Sequence, residues 1–403
     1  MKATSVFKYL LNGQCRPIFT TGTMFRQSHP PSASLTDPMN SIINRLSNKM
    51  HITTPLARGL ATFKMPAEST LHARTLMAWP SSYSTDDNQD VLHGSRQEVA
   101  AIANAIAQFE PVTLLAPKNH VCKAEQLIDS NVTVAALQVD NLWMRDTGPI
   151  YVESSEGKMA GVNFNFNDWG NKFYPDRSVD WTTAHRVLRK DDTYEIKTNV
   201  TTEGGALEID GEGTLMATES SIINDNRNPG LSKQQIEQTL SQTLGIEKFL
   251  WIKGVKGEDI TDGHIDAVAR FVRPGVVLLS RPAPDTEQVW LDAYDQARNV
   301  LENSTDARGR KLTIHDIDEP ANVDFPKINN YDDPPALNYV NYLLVNGGLI
   351  MPKFGDVEAD ENARTIMQSL FPEREVVQVF LHWLPLSGGG IHCATQQVPA
   401  LAV

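Results

Sequence analysis

Cysteine is scarce: the 403-residue chain has 3, at positions 15, 122 and 393. No CxxC spacing links them, so a disulfide framework and a thiolate zinc site are both excluded. Bases are outnumbered, with 36 Lys plus Arg against 49 Asp plus Glu and a formal net charge of −13. Nucleic-acid binding rests on clustered cations, so this balance argues against it. It favours small cationic partners, which a negative field concentrates. No apolar run approaches the roughly 18 residues of a membrane-spanning helix. Acids are missing altogether from residues 1–36, where Lys2, Lys8, Arg16 and Arg26 sit among many Ser and Thr. That is the bias of a mitochondrial transit peptide, and Lys8 interrupts the patch a secretory signal would need. The alternative is an untargeted arm on a cytoplasmic protein. Folded sequence is expected from about Met65, which divides the chain into an N-terminal segment, 1–60, and a single domain, 61–403.

What remains is ordinary globular composition, 41% hydrophobic and 21% charged, in which helices and hairpins alternate. Ser95-Arg-Gln-Glu98 reads as a capping box opening a helix that carries Val99, Ile102, Ile106 and Phe109 on one face. A second helix is expected from Ser232, burying Ile236, Leu240 and Leu244 and stopping at Gly245. Two more are expected at about 285–303 and 360–371, the last ended by Pro372. Between them lie four strand pairs with glycine in the turn: 149–153 with 159–164, 206–210 with 214–217, 267–272 with 276–280, and 340–345 with 349–352. Asp146, Glu203 and His264 each stand just before the first strand of a pair, at near-equal intervals. Recurrence of that kind predicts radial repetition, with equivalent strand starts converging on one axis.

The chemistry-bearing residues fall at those starts. Cys393 lies in Ser387-Gly-Gly-Gly-Ile-His-Cys-Ala-Thr-Gln-Gln397, where glycines such as Gly390 allow close approach of a ligand. It is a candidate nucleophile, against the alternative of a small buried hydrophobe. In Thr261-Asp-Gly-His-Ile-Asp266, the alternation of an extended strand turns His264 and Asp266 to one side. His264, Asp266, His392 and Cys393 are also a conceivable metal set. Against it, His392 and Cys393 are neighbours, and neighbours in an extended chain point apart. One thiol, one imidazole and the carboxylates Asp146, Glu203 and Asp266 suit a planar guanidinium, gripped by two parallel hydrogen bonds and attacked by sulfur at its central carbon.

With these residues the sequence resembles the agmatine deiminase and Porphyromonas-type peptidylarginine deiminase family, in the guanidine-modifying pentein superfamily. The resemblance runs from about Met65 to the C-terminus. It rests on Met65-Pro-Ala-Glu68, Met77-Ala-Trp-Pro80, Trp143-Met-Arg-Asp-Thr-Gly-Pro149, Asn163-Phe-Asn-Phe-Asn-Asp-Trp-Gly170, Glu203-Gly-Gly205, Asp262-Gly-His-Ile-Asp266, Asn346-Gly-Gly348 and Gly388-Gly-Gly-Ile-His-Cys393. It implies an α/β propeller of five ββαβ-type units and no metal or organic cofactor. Cys393 would be the nucleophile that forms a thiouronium, and His264 the general acid and then base. Asp146 and Asp266 would hold the guanidinium nitrogens and Glu203 would orient His264. Trp143 would line the channel beside Gly390.

The resemblance implies a hydrolase converting agmatine and water to N-carbamoylputrescine and ammonia. Deimination of peptidyl-arginine, or silent binding of a cationic ligand, are the alternatives. Expected partners are a small guanidino cation and further copies of the chain, with neither nucleic acid nor membrane. The family pattern carries an acid where Ile260 stands, Asn for Asp262 and Asn for Ala267. The acid could pair with the far ammonium of agmatine. Asp262 either replaces that charge or is a plain Asp-Gly turn.

Overall fold

The computed structural model describes residues 62–82, 88–172, 179–325 and 334–401. These belong to one unit, Ala61–Val403. The expected targeting segment at 1–60, with Cys15, lies outside the described residues. Among the described residues no helix is long and apolar enough to cross a membrane.

Among the described residues, five separate small sheets make up the fold. In four of them two sequential strands form an antiparallel hairpin and a third returns parallel to the second. The hairpins are Ile150–Ser154 with Met159–Asn163, Glu208–Ile209 with Thr214–Thr218, Ala269–Arg273 with Val276–Arg281, and Leu343–Val345 with Gly348–Lys353. The parallel partners are Tyr194–Lys197, Lys248–Ile252, Thr313–Asp318 and Glu375–Phe380. A parallel return needs a crossover, and each is a helix: Thr183–Lys190, Lys233–Leu244, Gln288–Glu302 and Val357–Leu370. The fifth sheet closes the ring, because its antiparallel pair joins the C-terminal strand Thr395–Pro399 to the early strand His72–Ala78. Helix Gln89–Ile106 then leads to the parallel strand Val112–Ala116.

Local chemistry explains most of these elements. The helix from Ser232 buries Ile236, Leu240 and Leu244 and ends at Gly245, φ 72°, as expected, and Ser232 and Gln235 add a reciprocal capping box. The helix at Val357 begins earlier than expected because Asp356 caps it, accepting from the Ala359 amide.

The box at Ser95 is a correction. The first helix starts at Gln89, where Asn88 accepts from the amides of Asp90 and Val91. Ser95 is buried within that helix. Glu98 instead accepts from the amides of His382, Trp383 and Leu384 at 2.6, 2.9 and 2.8 Å. A carboxylate supplied from across the fold satisfies those amides, which no pattern along one helix reveals.

The strand starts form a closed cycle of contacts. The Gly205 amide donates to Asp146 at 3.0 Å, and His264 meets Glu203 at 3.2 Å. The Asn341 side chain donates to the Asp266 carbonyl at 3.4 Å and to Cys393 Sγ at 3.1 Å. The Arg145 amide donates to the Cys393 carbonyl at 3.0 Å. Five sheets thus radiate from one set of turns, as the repeat predicts.

Candidate active site

Each turn at the hub positions its side chains differently from an extended strand. Asp146 lies in the single turn Met144–Thr147, and Glu203 directly precedes the 3₁₀ turn Gly204–Ala206. His264 precedes another 3₁₀ turn, Ile265–Ala267, and the strand begins only at Ala269. The expected alternation of His264 and Asp266 along a strand is therefore corrected. The two converge because a tight turn folds them around Gly205. A Cβ there would lie 2.5 Å from His264 Nδ1, 3.0 Å from Asp146 and 3.1 Å from Asp266. The absence of a side chain at 205 makes the cluster sterically feasible.

His264 is buried between carboxylates, with Glu203 Oε2 3.2 Å from Nε2 and Asp146 Oδ1 3.8 Å from Nδ1. Burial works against its charge, but Asp146, Glu203 and Asp266 outweigh it and raise the pKa to about 9. The imidazole is thus a cation at neutral pH. Glu203 is itself clamped by Arg227 Nε, at 2.9 and 3.1 Å to its two oxygens. Against burial, Arg227 and His264 keep its carboxyl below the usual range.

Asp262 sits behind Arg227, accepting from its Nη1 at 2.7 Å and from Lys172 at 2.9 Å. It does adopt the left-handed turn conformation, φ 61°, but it is buried and doubly paired rather than a plain turn residue. Its charge is consumed inside the protein, so it does not replace the acid missing at Ile260.

Cys393 follows the glycine run. Asn341 holds it twice, with Nδ2 on Sγ at 3.1 Å and Oδ1 accepting from its amide at 3.3 Å. Burial, then the charges of Asp266 and Asp146, push the thiol well above its ordinary pKa. The resting sulfur is a thiol, and a cation placed between it and those carboxylates would reverse the balance. Asp266 Oδ2 lies 3.7 Å from Sγ. Among the described residues its other oxygen, Oδ1, is buried with no hydrogen-bond partner, an expensive state for a carboxylate.

His392 and Cys393 also depart from expectation, because the chain there is a turn, not extended, and both face Asp266. His392 Nδ1 is 2.7 Å from Asp266 Oδ2 and Nε2 is 2.8 Å from Glu68 Oε2. Among the described residues no set of three His, Cys, Asp or Glu is arranged to hold a metal ion.

A cavity of about 1110 Å³ opens onto Cys393, His264, Asp266, Trp143, Gly390 and Trp169. Asp146 and Glu203 flank the two ring nitrogens of His264. The oxygens of Asp146 accept from the Gly205 amide and from Trp169 Nε1 at 2.9 Å. Trp169 is buried at φ 50°, in a stretch where Asn165, Asp168 and Asn171 are also left-handed. Strain of this kind persists where surrounding contacts over-determine it, and it clusters at functional sites.

Asn341, Trp169, Arg227 and the role of Glu68 do not stand out among the candidate residues along the chain. Asn341 had a signal, since it is the polar residue at the fourth strand start. It was hidden because the strand begins at Leu343 rather than at 340. Arg227 and Glu68 carry no local signal.

Five ββαβ units with a thiol, an imidazole and carboxylates at the hub define a pentein of the guanidine-modifying kind. The profile of the Porphyromonas-type peptidyl-arginine deiminase family matches residues 64–399, and the chain belongs to that family. Agmatine deiminase of Pseudomonas aeruginosa is 40% identical over 367 residues, 86% of this chain and 98% of the relative. That of Stutzerimonas stutzeri is 39% identical over 357 residues, covering 84% and 96%. The solved structure of Enterococcus faecalis agmatine deiminase superposes with a TM-score of 0.77 at 30% identity, covering 85% of this chain and 98% of that one.

Proposed function

We propose that the chain hydrolyses agmatine to N-carbamoylputrescine and ammonia through a covalent adduct on Cys393. The observation that carries the reading is the carboxylate of Asp266, whose Oδ2 lies 3.7 Å from the sulfur and whose Oδ1 is buried without a hydrogen-bond partner among the described residues, with relatives named agmatine deiminase supporting the substrate. A guanidinium seated there gives Oδ1 its missing donor and lowers the thiol pKa by its own charge. The thiol then gives its proton to water in the cavity, and the thiolate adds to the guanidinium carbon, forming a C–S bond as the C=N electron pair moves onto nitrogen. The C–N bond to the departing nitrogen breaks as His264, already protonated, gives that nitrogen its proton and ammonia leaves. Neutral His264 next takes a proton from water, whose oxygen adds to the same carbon. The C–S bond breaks with its electron pair returning to sulfur, the hydroxyl on carbon gives its proton to that sulfur as the C=O forms, and the ureido product is released.

Asp146 and Glu203 act at this site chiefly by holding the charge and orientation of His264. Trp143, buried against Gly389, supplies apolar surface for the alkyl stem.

The test is to incubate the purified chain with agmatine and measure ammonia and the ureido product. Turnover by wild type and its loss in Cys393→Ala are expected. An inert wild type, or full turnover by Cys393→Ala, overturns the reading. Parallel kcat/KM values for free arginine and an arginine peptide separate agmatine from the peptidyl substrate.

A further inference from the structure

Agmatine carries a second cation, and the hub residues account for only the first. At Ile260 the cavity rim offers no side-chain charge. Its carbonyl and that of Asp259 each accept from Lys172 Nζ at 3.0 Å, so these acceptors are already taken by a cation of the protein. Other acids on the lining are spent or washed by solvent. Asp259 Oδ1 accepts from the Thr261 hydroxyl and the Thr261 and Gly263 amides, and Glu258, Asp285 and Glu287 are exposed, where salt and water weaken their pull.

Glu319 differs from all of these. It lines the same cavity, half-buried, just past the parallel strand Thr313–Asp318. Its amide donates to the Arg281 carbonyl at 2.9 Å, which fixes the backbone. Among the described residues its carboxylate has one partner, the Ser280 hydroxyl at 2.8 Å, and no cation. Burial, opposed only by that hydroxyl, pushes its pKa up to about 7, the mark of an acid lacking a counter-ion. Ser280 ties this wall to the hub, because its amide donates to the Val268 carbonyl at 2.9 Å, two residues beyond Asp266.

From this geometry we infer that Glu319 is the specificity-determining carboxylate that receives the substrate's distal ammonium, with Ser280 holding it in place. The inference rests on the agmatine reading above. It means that the acid absent at Ile260 has been supplied from another stretch of the same cavity lining, so that a guanidine bearing a cationic tail remains the preferred substrate.

The experiment compares agmatine with n-butylguanidine, which has the same reacting group and a neutral tail, in wild type and Glu319→Gln. The kcat/KM ratio of agmatine to butylguanidine is expected to fall by about tenfold to a hundredfold in the variant, as for loss of one charged hydrogen bond. The fall should sit mainly in KM for agmatine. An unchanged ratio, whether both substrates are lost together or neither is affected, overturns the inference, and the butylguanidine rate also reports whether the variant is folded. A wild type that turns over neither guanidine instead overturns the deiminase reading, so the two failures are distinguishable.

Discussion

Glu203 Oε2 meets His264 Nε2 at 3.2 Å while Arg227 grips both oxygens of the same carboxylate. The histidine is therefore held as a cation by an acid that cannot rotate away, and that acid is held by a base which is itself pinned by Asp262. The chain Asp262–Arg227–Glu203–His264 alternates in charge from the interior to the cavity wall.

The protonated state of His264 sets the alkaline limit of the reaction. His264 supplies the proton for ammonia only while charged, so kcat/KM should fall as pH rises through about 9, the pKa to which its carboxylates raise it. In Glu203→Gln, with one of those carboxylates gone, the alkaline limb should move to lower pH. A pH–rate profile of the two proteins checks this, and an unmoved limb would mean that Glu203 is not tuning the histidine.

His392 positions Asp266 by its 2.7 Å contact to Oδ2 while its other nitrogen rests on Glu68. In His392→Asn the carboxylate beside Cys393 loses that anchor, and kcat/KM for agmatine should drop by about tenfold to a hundredfold, as for loss of a supporting hydrogen bond behind a reacting group. Steady-state kinetics, with circular dichroism to confirm folding, measures it.

Gly205→Ala should silence the enzyme without unfolding it. The added Cβ would stand 2.5 Å from His264 Nδ1, closer than packing allows, so the imidazole must shift. A loss of at least about a hundredfold in kcat is expected, since displacement by about 1 Å costs that much. Near-normal rates would mean that the cluster is looser than its geometry.

Arg227→Met should destabilise the fold. It leaves Glu203 and Asp262 as buried carboxylates without their shared partner, for which about 3 to 5 kcal/mol is typical. Denaturant unfolding reads this directly. The loss should be smaller in Arg227→Met/Asp262→Asn, where one stranded charge is also removed.

Much of the architecture is legible along the chain. The hairpins follow from glycine turns between apolar strands, and the Ser232–Gly245 helix from its cap, its buried face and its terminating glycine, because these are properties of neighbouring residues. The same holds for the residues that do chemistry: Cys393, His264, Asp146, Asp266 and Glu203 all mark strand starts that a repeat brings to one axis. Tertiary structure decided what each of them touches. Glu98 reads locally as part of a cap for its own helix and in fact caps another segment. Asp262 reads as a turn and is also the buried partner of Arg227 and Lys172. Glu319 has no motif at all, and only the cavity shows it as an acid without a cation among the described residues. The physical reason is common to all three. A carboxylate's partner is chosen by distance in space, and the ring of five sheets brings together residues that are far apart in the chain.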